Sequence, residues 1–216
     1  MKLTDGLFAY VWQGNDNNCN SYVFANTLGA KHILIDPGHV VTPFYREAGF
    51  DKLIKNMEKD GLRPEDIGLT VITHAHPDHM EAGKKFREKY GAKVAVHVDE
   101  AAAFKMFEGG EIDILLKTGK LKIDNQVTEN LEIIHTPGHS TGEISLYWPA
   151  KKALAVGDVV FFRSTGRVDL PGGNPGKLRA SIEELAKLDV EYLLCGHPYQ
   201  HPGVIIGKEK IKENYK

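Results

Sequence analysis

The chain has 216 residues, 42% of them hydrophobic, and a formal net charge of −2, enough apolar material for one globular domain with a full core. Near-neutral charge excludes a general nucleic-acid binder and a basic membrane-surface protein, and no run approaches the roughly 18–20 apolar residues of a membrane span. Met1-Lys2-Leu3-Thr4-Asp5-Gly6 opens no apolar signal segment, and Cys19 and Cys195 are the two cysteines, too few for a disulfide framework. The expectation is a cytoplasmic protein acting on a small molecule. The sequence leaves its oligomeric state open, a homodimer included.

In chain order, Leu7–Gln13, Ser21–Ala25 and His32–Ile35 read as strands separated by turn residues. Phe44–Lys59 has helical spacing, with Leu53, Ile54 and Met57 on one stripe. Leu69–Thr73 is expected to be a buried strand and His79–Tyr90 a helix; Lys93–His97 is a strand and Glu100–Phe107 a short helix. Leu131–His135, Ile144–Trp148 and Ala153–Val156 read as strands, Pro175–Leu188 as a helix and Tyr192–Cys195 as a final buried strand. Lys208–Lys216 is a highly charged helix candidate. Strands grouped early, then mixed α and β, predict sheets covered by helices.

Residues 74–79 read His-Ala-His-Pro-Asp-His. Packing needs no such density of imidazole and carboxylate, whereas Zn²⁺ and related ions do. In an extended segment, residues two apart face one side, so His74 and His76 can grip one ion. Pro77 helps end that run and leaves Asp78 and His79 at a helix start, facing a second ion. Three further candidates follow strand ends: His139, Asp158 and His197. Loops at strand ends are held by a rigid scaffold, and the neighbouring Gly and Pro aim the side chains. Seven candidates suit two metals better than one, because each ion then has about three protein ligands and keeps a place for water. Alone, Asp78 reads equally well as a helix N-cap. His32, His39, His97 and His135 lack partners in sequence and read as structural, His135 also as a residue that could hydrogen-bond to a ligand. Cys195, ending an apolar strand, reads as core.

The series His-x-His-x-Asp-His, Pro137-Gly138-His139, Gly157-Asp158 and Gly196-His197 resembles the metallo-β-lactamase superfamily. That resemblance implies an α/β fold, the four-layer αβ/βα sandwich, with the metals at one edge. It implies that His74, His76 and His139 hold the first metal and Asp78, His79 and His197 the second, with Asp158 bridging. Within the superfamily, Gly157-Asp158-Val159-Val160-Phe161-Phe162 and Gly166-Arg167-Val168-Asp169 are similar to the glyoxalase II branch, the hydroxyacylglutathione hydrolases. Met80-Glu81-Ala82-Gly83 departs from the glycine pair usual there, and 19 residues follow His197, so a short form without the C-terminal helical domain is expected.

The expected chemistry is metal-assisted hydrolysis of a thioester. Two divalent ions, zinc first and iron or manganese otherwise, activate water, and Asp78 and Asp158 orient it and carry its proton. Arg163, Arg167, Lys177 and Tyr199 are the candidate grip on an anionic substrate; the alternatives are a solvated basic face, an Arg167–Asp169 pair and a surface loop for Tyr199. The rivals are a mononuclear iron persulfide dioxygenase, a phosphodiesterase or phosphotriesterase, and a metal-binding module without activity.

Overall fold

The computed structural model describes residues 1–123 and 126–215. Among them, seven strands form a first sheet in the order β1 (Lys2–Thr4), β2 (Leu7–Tyr10), β3 (Ser21–Leu28), β4 (Lys31–Ile35), β5 (Ile67–Ile72), β6 (Lys93–His97) and β7 (Ile114–Leu116). The first four pair antiparallel and β4 to β7 pair parallel. Parallel neighbours need crossovers, and α1 (Gly49–Lys59), α2 (Pro77–Tyr90) and α3 (Ala101–Met106) lie in those connections.

The second sheet contains β8 (Gly119–Ile123), β9 (Gln126–His135), β10 (Ile144–Trp148), β11 (Ala153–Ala155), β14 (Tyr192–Leu194) and β15 (Val204–Ile206), side by side as 15-14-11-10-9-8. A hairpin of β12 (Val160–Phe161) and β13 (Ser164–Thr165), then α4 (Pro175–Leu185), separates β11 from β14, and α5 (Lys208–Asn214) follows β15.

Strand alternation builds the layers. Leu7, Ala9, Ile33 and Ile35 of the first sheet share a core with Leu131, Ile133, Leu146 and Ala155 of the second. The intervening residues point outward. Phe8, Tyr10, Val23 and Leu34 meet Phe50, Leu53, Met57 and Phe86 of the helices, while Leu154 and Leu193 meet Leu178, Leu185 and Ile211. Ile67 faces the helices and Leu69 the inner core, because the register of β4 on β5 shifts between them, at Gly68. The result is helix, sheet, sheet, helix: the predicted αβ/βα sandwich.

Several bounds differ from expectation. The helix expected from Phe44 begins at Gly49, because Arg46 has φ 54° and the amides of Phe44 and Tyr45 donate to Asp16 Oδ2 instead of continuing a helix. β2 stops at Tyr10, α4 at Leu185 and β14 at Leu194. β1, β7, β8, β12, β13 and β15 were not expected from the sequence; each is five residues or fewer, too short to carry a clear period. Of the tail helix, Lys216 lies outside the described residues. Among the described residues no helix is long and apolar enough to cross a membrane.

Candidate metal centre

The topology points one set of strand ends at one edge. In the first sheet β4 and β5 run parallel. In the second, β11 runs parallel to β14, and β9 and β11 both run antiparallel to β10. After the C-terminal ends of these strands come Asp36, the 74–79 segment, His139, Asp158 and His197, the position where open α/β sheets place their ligands. The two edges are tied together by backbone bonds, Ile144 N to Thr73 O (3.0 Å) and Asn20 N to Gly196 O (2.7 Å).

All seven predicted donors meet there. His74 Nε2 and His139 Nε2 each lie 2.9 Å from His76 Nδ1. His79 Nε2 lies 3.1 Å from His197 Nε2, which is 3.4 Å from Asp78 Oδ2. Asp158 stands between the two trios: Oδ1 is 3.3 Å from His79 Nε2, and Oδ2 is 3.6 Å from His139 Nε2 and 3.4 Å from His197 Nε2. Asp78 is not the helix cap. His76 occupies the N-cap, Pro77 opens α2, and Asp78 lies inside the first turn, so its carboxylate faces His197 and accepts from Asn17 Nδ2 (2.6 Å).

The arrangement fits divalent cations. Ring nitrogens face ring nitrogens at 2.9 and 3.1 Å, with carboxylates beside them. Asp158 Oδ1 is buried with no hydrogen-bond partner, a state that costs free energy unless a charge sits against it. Burial, then His79, holds His74 well below the usual histidine range, and burial with His139 beside it lowers His76 to about 4. Both rings are therefore neutral, the form a metal binds. Burial opposes charge on Asp158, yet His197 and His79 outweigh it and hold the carboxyl well below its usual range. Burial likewise opposes charge on His79, and Asp158 with Asp36 overcomes it and raises that ring. Histidine and carboxylate suit zinc, iron and manganese alike.

A surrounding layer orients these donors. Asp36, in the left-handed region at φ 49°, accepts from Thr73 N (2.8 Å) and Thr73 Oγ1 (2.7 Å) and lies 2.8 Å from His79 Nδ1. His139 Nδ1 meets the Arg167 carbonyl at 2.8 Å, and His197 Nδ1 the Asn18 carbonyl at 3.1 Å. Glu143 Oε1 accepts from Asp158 N (2.7 Å); burial, then Asp158, pushes its carboxyl well above the usual range. Glu100 accepts from Ala75 N (2.9 Å), Ser140 Oγ (3.0 Å) and Gly142 N (2.7 Å), joining the two histidine loops. Sequence reasoning missed Asn17, Glu100 and Glu143 as site residues. Glu100 and Glu143 do lie close to apolar strands at the same edge, a signal too common to single them out, and Asn17 carried none.

The four substrate candidates separate. Tyr199, 49% exposed, stacks on His197 with centroids 5.0 Å apart. Arg167 reaches the cluster through its carbonyl, while its guanidinium grips Asp169 in two bonds of 3.0 and 2.7 Å. Arg163 lines a different cavity of about 530 Å³ with Phe162, His201 and Lys210. Lys177 sits in the first turn of α4, where its amide is capped by Asn174 Oδ1. His135 bonds the Thr141 carbonyl and no member of the seven. Cys195 is in the core beneath α4.

The sequence profile of the metallo-beta-lactamase superfamily matches residues 14–197. The chain is 32% identical over 200 residues to the probable metallo-hydrolase MJ0888 of Methanocaldococcus jannaschii, covering 85% of this chain and 89% of that one. It is 35% identical over 134 residues to a hydroxyacylglutathione hydrolase of Acidiphilium cryptum, covering 62% of this chain and 51% of that one. The crystal structure of TTHA1623 in a di-iron-bound form superposes with a TM-score of 0.63 at 28% identity, covering 88% of this chain and 91% of that one.

Proposed function

This chain belongs to the metallo-beta-lactamase superfamily, and from that premise we propose that it is a dinuclear metal-dependent hydrolase acting on a thioester. The observation that carries the reading is the convergence of seven donors from four separate loops on one edge, with the buried Asp158 carboxylate between two trios. His74, His76 and His139 would hold one ion and Asp78, His79 and His197 the other, with Asp158 shared. Two such ions, when bound, supply hydroxide at neutral pH and polarise the attacked carbonyl. Zinc is the ion proposed; TTHA1623, whose structure is di-iron-bound, supports iron as the other choice.

The chain's own groups do the rest. Asp158, held ionised, orients the nucleophilic water, and Asp78 carries its proton towards the leaving group. Asn17 fixes Asp78, and Asp36 fixes His79. Tyr199, stacked on His197, and Arg167, whose carbonyl meets His139, are the proposed contacts for an anionic portion of the substrate. A thiolate leaves easily, and the similarity to a hydroxyacylglutathione hydrolase supports a thioester among the carbonyl substrates open to this chemistry.

A chromogenic panel of thioester, lactone, phosphodiester and β-lactam tests the assignment. The thioester is expected to show the highest kcat/KM. A faster phosphodiester would transfer the assignment to phosphorus chemistry. An inert panel, with one iron per chain and oxygen uptake on glutathione persulfide, would replace it with a dioxygenase.

A further inference from the structure

Glu143 lies where the two sheets meet, one residue before β10. Its carbonyl accepts from Thr136 N (2.8 Å), and the amide of the next residue, Ile144, donates to Thr73 O (3.0 Å). Its backbone is therefore pinned to the loop after β9 and to the end of β5, and its side chain is wholly buried. On the dinuclear reading above, we propose that Glu143 is a positioning residue for the metal pair. One of its carboxyl oxygens fixes the main chain of the shared ligand Asp158 and flanks the outer nitrogen of His74.

The turn that carries Asp158 is held at each of its other corners by backbone. Val156 N donates to Leu194 O (3.0 Å), Val159 N to Val156 O (3.1 Å) and Gly196 N to Gly157 O (2.7 Å). The Asp158 amide donates instead to Glu143 Oε1, at 2.7 Å. The same oxygen is 3.6 Å from His74 Nδ1, while His74 Nε2 faces His76. One atom thus borders both the shared ligand and a member of the first trio, on the side away from the cluster. Gly157 makes room for it. A Cβ at this residue, whose φ is +52°, would lie 2.9 Å from Glu143 Oε1 and 2.6 Å from Thr73 Oγ1. Packing alone does not account for a glutamate here. Its Oε2 is buried with no hydrogen-bond partner among the described residues, a cost that a leucine would avoid. What the glutamate adds is the acceptor for Asp158 N. Burial, then Asp158, raises its carboxyl well above the usual range, so the side chain is neutral and glutamine reproduces both its shape and its charge.

Glutamine and leucine separate this role from packing. Metal-stripped wild type, Glu143→Gln, Glu143→Leu and Glu143→Ala are titrated with zinc ions against a chelator of known affinity and assayed on the thioester, with circular dichroism to confirm folding. Glu143→Leu is expected to bind zinc about 10- to 100-fold more weakly, the usual effect of losing a group that orients metal ligands, and to lose kcat on the same scale with KM little changed. Glu143→Ala carries the comparison if the leucine variant does not fold. Glu143→Gln, which keeps the acceptor oxygen, is expected to restore both zinc affinity and kcat. Zinc affinity is read without substrate, so an inert thioester would count against the assigned reaction and leave this comparison standing. Wild-type zinc affinity in a folded Glu143→Leu or Glu143→Ala would overturn the proposal, and so would a folded Glu143→Gln that binds zinc as weakly as they do.

Discussion

Gly196 shows how closely the cluster is fitted. A Cβ at this position would lie 2.2 Å from Asp158 Oδ1, 2.8 Å from the Gly157 carbonyl and 2.9 Å from His79 Cε1. Contacts that short force either the Asp158 carboxylate or a histidine to move. Gly196→Ala is therefore expected to lower turnover by about 100-fold, the scale of an ångström misplacement, and to reduce metal content in the same preparation. Unchanged activity would mean that Asp158 does not work from this position. At this scale the sequence was legible where chemistry repeats at short spacing: the hexapeptide announced itself, and His139, Asp158 and His197 each follow a strand end. Glu100, Glu143 and Asn17 were not legible. Their partners are backbone amides, the Ser140 hydroxyl 40 positions from Glu100, or a residue 61 positions away, as for Asn17 and Asp78, and no spacing rule encodes such contacts.

Between elements, the decisive joints are polar. Glu100 follows β6 yet holds the loop after β5 and the loop after β9, through one hydroxyl and two backbone donors. Glu100→Ala leaves these buried donors unsatisfied, at about 1–3 kcal/mol each. Its expected cost is about 3 kcal/mol in denaturant unfolding, together with weaker metal retention as the two histidine loops drift apart. A loss under about 0.5 kcal/mol, the usual scale of a neutral surface change, would show that water replaces the carboxylate. The readable elements were those with a compact apolar signal: the run Ile33-Leu34-Ile35 in β4, the apolar Leu146-Tyr147-Trp148 in β10, and the stripe Leu53, Ile54, Met57 in α1. The start of α1 was misplaced because Asp16, distant in sequence, captures the amides of Phe44 and Tyr45. β15 and the β12–β13 hairpin are short and exist through pairing with their neighbours.

For the whole molecule, the sandwich explains why donors scattered from residue 74 to residue 197 can share one centre. Two sheets pack through a common apolar core, and their strand ends meet at one rim. The core supplies rigidity, and the rim supplies seven donors whose crowding divalent cations would relieve. In the proposed reading the class of chemistry follows from that rim, and the choice of substrate falls to Tyr199, Arg167 and their surroundings, which no motif spacing specifies. The account stands on metal dependence. Elemental analysis and thioester turnover, measured together on wild type and on His76→Ala, test it most directly. Wild type is expected to turn over only while metal is bound, and His76→Ala to lose metal and activity together. Full turnover by His76→Ala in metal-free form would contradict it.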